Sequence, residues 1–322
     1  METTRRAALI ASLAAPALVG RAMAQAAPAS AVPQAPRLQA PGWYRFQLGG
    51  FTVTTVFDGF VRRNAEGLVR NAPLAEVQAT LAESFLPTAT YDGPYTVTFV
   101  DTGKLLVAFD TGTGGQMAPT AGLLAANMAA AGLDPAKVGL VVITHCHQDH
   151  IHGLTTRDGT AVFPNAEVAV AEPEWAWWSD PANETRSPEG QRVNFANVAR
   201  RFAPYRDRTR RFAAGAEVAS GIHAVAAFGH SPGHCIFRVA DAGQQLMVLA
   251  DTTHRPELFA RRPGLRSMFE FDAAAAEATR RRVLDEVATD RIQVIGYHFP
   301  FPAAGHMLRD GEGYRYVRAD WS

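Results

Sequence analysis

Seven consecutive residues, Thr144-His145-Cys146-His147-Gln148-Asp149-His150, carry three imidazoles and a carboxylate. Side chains of these types at this density suit a divalent cation. They follow directly on the apolar run Val138-Gly139-Leu140-Val141-Val142-Ile143, which reads as a buried strand. His145 and His147, two apart, can point to the same side and grip one ion, while Asp149 and His150 turn with the loop toward a second. A lone histidine is usually a satisfied core or surface residue. Three with an acid at this spacing, immediately after a strand, form a metal-site signature.

The rest of the chain offers partners for such a loop. Gly229-His230-Ser231-Pro232-Gly233-His234 is a turn bent by glycine and proline that delivers a histidine. Leu246-Met247-Val248-Leu249-Ala250-Asp251 is an apolar strand ending in an acid, and Val294-Ile295-Gly296-Tyr297-His298 is another ending in a histidine. His145, His147, Asp149, His150, His234, Asp251 and His298 therefore all fall at or just beyond strand ends, where a rigid scaffold can hold them. Imidazole nitrogen and carboxylate oxygen suit zinc, and also iron, manganese or cobalt.

From about Phe51 to the C-terminus the chain resembles the metallo-β-lactamase-fold hydrolases, whose pattern is HxHxDH followed by a later His, Asp and His. Within that group it most resembles the methyl parathion hydrolase-like and lactonase-like branch. Phe163-Pro164-Asn165-Ala166, Gly229-His230-Ser231-Pro232-Gly233-His234, His298-Phe299-Pro300-Phe301-Pro302 and Gly311-Glu312-Gly313-Tyr314-Arg315-Tyr316-Val317 carry this likeness.

The resemblance implies a mixed α/β fold: an αββα four-layer sandwich with a dinuclear metal site at strand ends. It implies two divalent ions, zinc foremost, with His145, His147 and His234 on the first, Asp149, His150 and His298 on the second, and Asp251 bridging. A metal-bridging hydroxide would attack a carbonyl or phosphoryl centre, with Asp149 and Asp251 as the catalytic carboxylates and Asp149 able to shuttle a proton. Asp110 would support the histidine loop by hydrogen bonding, and His230 would be structural or a hydrogen-bonding partner behind the ligands. Position against the branch places Met117, Trp178 and Phe195 at the substrate mouth. The substrates implied are lactones, aryl esters or organophosphate triesters. A glyoxalase II-like thioesterase is the alternative, and a β-lactamase is disfavoured because Asp251 fills a bridging position that lactamases of this fold lack. The interval from Asp251 to His298 is too short for the extra domain of nucleic-acid-processing relatives. A non-catalytic binding protein would be expected to lack one of these residues. Homodimers are frequent in the family.

Composition sets the wider frame. Of 322 residues, 47% are hydrophobic and 19% charged, and the formal net charge is zero, so no global field favours nucleic acid or an anionic membrane. The arginines at 200–201, 206–211 and 280–282 are expected on solvated faces. Residues 1–24 read as an export signal: Arg5-Arg6, a mild alanine-rich run, then Ala22-Met23-Ala24 as a cleavage site. The paired arginines favour the twin-arginine route and a periplasmic or secreted protein. Residues 25–42 form an Ala/Pro-rich lead-in to a single domain at 43–322. Cys146 and Cys235 each adjoin a proposed ligand and are expected as buried free thiols.

The pattern predicts hairpins turning at Gly49-Gly50 and at 101–103, and helices over 73–85, 120–131 and from the N-cap Asp272 to about 288. His152, where the family usually has a small residue, is either a hydrogen-bond donor behind the loop or an outward-facing histidine. His223, His254 and His306 receive no role.

Overall fold

The computed structural model describes residues 42–320. The export signal and all but the last residue of the lead-in lie outside the described residues. Trp43–Leu48 (β1) and Phe51–Asn64 (β2) pair with Leu48 opposite Phe51, so the chain reverses over Gly49-Gly50, where Gly49 takes a φ of 60°. Thr90–Asp101 (β3) and Leu106–Phe109 (β4) form the second hairpin. Val138–Ile143 (β5), Glu167–Ala171 (β6) and Thr209–Phe212 (β7) then add in parallel, completing one seven-stranded sheet in chain order.

The second sheet contains Glu217–Ala219 (β8), Ile222–Ala226 (β9), Cys235–Asp241 (β10), Gln244–Ala250 (β11), Gln293–Gly296 (β12), Ala304–Asp310 (β13) and Gly313–Arg318 (β14), in the order β14 to β8. Only β11 and β12 pair parallel in it. The helices are Leu74–Glu83 (α1), Leu124–Ala130 (α2), Gln148–Ile151 (α3), Glu172–Ser179 (α4), Val193–Phe202 (α5), Pro256–Phe259 (α6) and Ala273–Thr289 (α7).

Side-chain alternation builds the layers. Along β5, Leu140 and Val142 enter the core shared with the second sheet, while Val138, Val141 and Ile143 enter the core covered by α2, α4 and α5. A strand buried on both faces has no polar side, which is why this run is continuously apolar. Phe109 and Phe237 meet across the sheets with ring centroids 5.2 Å apart. Val283, Leu284 and Val287 of α7 cover the second sheet near Met307 of β13. Burying side chains of this size contributes about 1.5–3 kcal/mol each. The result is helices, sheet, sheet, helix.

Three expectations are corrected here. The helix expected over 120–131 begins only at Leu124. Gly122 adopts a φ of 97° and donates its N–H to Asp58 O, and the buried Asp58 carboxylate then accepts from Leu124 N at 2.8 Å, so a distant strand caps the helix late. Arg201 and Arg280 are not solvated. Arg201 bonds Thr155 and Gln116, while Arg280 pairs with Glu270 and the carbonyls of Thr252 and Pro263. Their remaining arginine neighbours lie mostly at the surface.

Candidate metal centre

The loops that leave β5, precede β10 and leave β11 and β12 meet at one end of the two sheets. Asp110, just past β4, ties the first of them down. Its carboxylate accepts from Thr144 N and Thr144 Oγ1, both at 2.8 Å, and its Oδ2 lies 2.8 Å from His150 Nδ1. Asp110 holds a φ of 64°, and Ala250, immediately before Asp251, one of 45°. Backbone strain of this kind persists only where the surroundings over-determine it.

Glu174 of α4 does the corresponding work between loops. Its fully buried carboxylate accepts from Cys146 N (2.7 Å), Gly233 N (2.7 Å), Ser231 Oγ (2.5 Å) and Trp178 Nε1 (2.7 Å). One side chain thus locks the 144–150 loop to the 229–234 loop. Burial raises its pKa against these four donors, which favour the anion. Sequence reasoning passed over this residue, because nothing local separates Glu174 from Glu172.

Backbone carbonyls can only accept, so they fix the histidine tautomers they touch. His298 Nδ1 faces Pro94 O and His234 Nδ1 faces Ala227 O, each at 2.8 Å, so Nδ1 carries the proton and the neutral form of each ring has its lone pair on Nε2. This outer hydrogen bond is the usual companion of a metal-ligating imidazole. Tyr297 stacks on His150 with centroids 3.9 Å apart and donates its hydroxyl to Asp149 O at 2.6 Å.

Ligand-type atoms converge within 4.8 Å in four groups: His145 with His147 and His230; His145 with His150 and Asp251; Asp149 with His150 and His298; and His230 with Asp251 and His254. His298 Nε2 is 3.1 Å from Asp251 Oδ2 and 3.4 Å from Asp149 Oδ2. His234 lies at the edge, its ring 5.1 Å from that of His145 and its Nε2 3.3 Å from Asp251 N. His230 instead places Nε2 3.2 Å from His145 Nε2 and 3.0 Å from His147 Nδ1. His254, given no role from sequence, sits 3.4 Å from Asp251 Oδ2; its position three residues after that acid was the available signal.

The electrostatics favour cation binding. Burial holds His145 well below the ordinary imidazole value and His147 and His234 down at about 4, so all three keep neutral lone pairs. Burial would also depress His150 and His298, but the nearby carboxylates, Asp251 foremost, raise both. Burial alone would raise Asp251, yet His298, His150 and His230 hold it well below the carboxylate range. His147 Nε2, His230 Nδ1 and His254 Nδ1 are buried without hydrogen-bond partners. Unpaired buried nitrogens are costly in an apo protein and become useful beside a cation. The donor set fits divalent metal of the zinc type.

A cavity of about 340 Å³ opens over these groups, and Met117 lines it with Tyr91, Gln191 and Asn194. Trp178 and Phe195 do not line it. Glu174 turns the Trp178 indole inward, and the two rings pack at 5.0 Å beside a separate cleft between α4 and α5. His152 is buried, not outward-facing; burial and the Arg201 guanidinium hold its pKa down at about 4. Cys146 and Cys235 are buried free thiols.

This architecture gathers a cluster of groups able to hold metal ions at one edge of a two-sheet sandwich. The chain belongs to the metallo-beta-lactamase superfamily, whose family model matches residues 90–291. Among solved structures, the hydrolase AbOPH of the beta-lactamase superfamily aligns with a TM-score of 0.83 and 25% identity, over 88% of this chain and 100% of that one. AidC, a dizinc quorum-quenching lactonase solved with an N-acyl-homoserine product, aligns at 0.82 and 21% identity, over 87% and 98%. A probable metal-dependent hydrolase from Staphylococcus aureus aligns at 0.69 and 18% identity, over 85% and 99%. Comparison of the sequence with curated proteins finds no match.

Proposed function

We propose that this chain is a dinuclear metal-dependent hydrolase acting on lactones, aryl esters or organophosphate triesters. The observation that carries the reading is the convergence of Asp149, Asp251 and the surrounding imidazoles, with an unpaired buried nitrogen on His147, beneath an open cavity. We assign His145, His147 and His234 to one ion, Asp149, His150 and His298 to the other, and Asp251 to both. His234 is preferred to His230 because a carbonyl fixes its Nε2 as a lone pair, whereas His230 Nδ1 has no partner.

Two bound cations would supply a Lewis acid for the substrate oxygen and acidify a water to serve as nucleophile near neutral pH. Asp149, the more exposed of the two carboxylates, is placed to take that proton and return it to the leaving group. Asp110 and Glu174 hold the loops so that these groups need not reorganise during turnover. A cavity of about 340 Å³ is of a size for a small molecule, and we take the substrate to be one rather than nucleic acid or a membrane.

The test is a panel assay of purified, metal-analysed protein. Acyl-homoserine and other lactones, 4-nitrophenyl esters and paraoxon should turn over, with S-lactoylglutathione and nitrocefin included as probes of the competing thioesterase and lactamase activities. Rapid turnover of the glutathione thioester alone would replace this reading with the thioesterase one. The same proposal places the mature protein outside the cytoplasm after twin-arginine export, checked by fractionation and N-terminal sequencing, and as a homodimer, checked by light scattering.

A further inference from the structure

We propose that Arg63 and Arg70 form a carboxylate-recognition site at the mouth of the cavity, so that the preferred substrate carries a carboxylate remote from the scissile bond. The proposal rests on the hydrolase reading and names the substrate class of the same site.

Both arginines line the same cavity as His147, Asp149, Asp251 and His298. No acid pairs with either one among the described residues. Their neighbours behave differently: Arg62 pairs with Asp92 at 2.7 Å, Arg255 with Glu257 at 3.1 Å and Arg266 with Glu277 at 3.3 Å. Where acids are this plentiful, two uncompensated cations on one rim are a specific arrangement. The carboxylates that line the cavity among the described residues, Asp149 and Asp251, are already engaged with imidazoles.

Both cations are also held in place. The Arg63 guanidinium carbon sits 5.4 Å from the Phe269 ring centroid, and Arg70 Nη2 donates to Met268 O at 3.0 Å. The two anchors, Met268 and Phe269, are adjacent residues, and both arginines line the one cavity. This anchoring leaves most of their N–H donors free for an oxyanion, which a guanidinium can bind through two parallel bonds. Such a pair raises the local concentration of anionic substrate and fixes its orientation at the reacting end.

The experiment compares two esters of similar length that differ in terminal charge, 4-nitrophenyl hydrogen glutarate and 4-nitrophenyl pentanoate. The wild type should favour the anion by about tenfold or more in kcat/KM. The R63Q/R70Q variant should bring the ratio to about one, with R63K/R70K restoring part of it. In parallel, calorimetry with the non-hydrolysable ether 5-(4-nitrophenoxy)pentanoate and its carboxamide should show the same arginine-dependent preference. Turnover of both esters without preference, or a preference that survives in R63Q/R70Q, overturns the carboxylate site alone. If neither ester turns over while the ether carboxylate still binds more tightly through the arginines, the hydrolase reading falls and the recognition site stands.

Discussion

At the residue scale, the candidate centre depends on two acids with different jobs. Asp251 lies within ion-pair distance of His150, His230, His254 and His298, so its carboxylate faces both halves of the cluster. Asp251→Ala should reduce bound metal from about two ions to fewer than one and abolish turnover together with it, measured by elemental analysis and assay of the same sample. Glu174 never reaches the substrate cavity, yet it holds two ligand loops at once. Glu174→Gln places an NH2 against N–H donors and should cost roughly 2–3 kcal/mol in urea denaturation. Loss of metal affinity out of proportion to that cost would show that the loops part locally before the protein unfolds. The 144–150 loop was legible because its chemistry is packed into consecutive residues. Glu174 was not, because its partners at 146, 231 and 233 are remote in sequence. The resemblance made His234 the ligand and His230 a supporting residue, yet His230 falls in two of the converging groups and His234 in none of them, while the Ala227 carbonyl orients the His234 ring.

At the scale of elements, strands were read well and helix boundaries less so. β5 was read to the residue because an apolar run between turn signals has few other outcomes. The start of α2 depended on Asp58, a residue on β2 with no local signature of a cap. The burial of Arg201 and Arg280 likewise depended on Thr155, Gln116 and Glu270, which only the folded chain brings near. Where the cap is local, reading succeeded: Asp272 Oδ1 accepts from Ala274 N and Ala275 N at 3.0 Å and opens α7. Asp272→Ala should therefore cost about 1 kcal/mol of stability while leaving kcat and metal content unchanged, a separation that denaturation and assay of one preparation can check.

At the scale of the whole molecule, metal and pH are linked through the buried imidazoles. In protein stripped by chelator, His147 and His234 have folded values near 4, below the 6.5 they regain on unfolding. The unfolded chain then binds protons more readily, so stability falls as pH drops from about 6.5 toward 4. His150 and His298 are raised instead, so their contribution is complete below 6.5 and fades as pH climbs through their folded values. Stability of the stripped protein should peak near pH 6.5; a curve still rising from there to pH 4 would contradict these environments. Zinc should stabilise the fold increasingly as pH climbs through the raised values of His150 and His298, where it no longer competes with their protons. Three of the four converging groups draw members from loops of both sheets, with His145, His147, Asp149 and His150 on one side and His230, Asp251 and His298 on the other. The cations would then act as rivets across the sandwich, and an ion could leave only when the sheets part at that edge. Metal release to a chelator should run at a rate independent of chelator concentration, which would make the enzyme's loss of metal a clock for its own breathing.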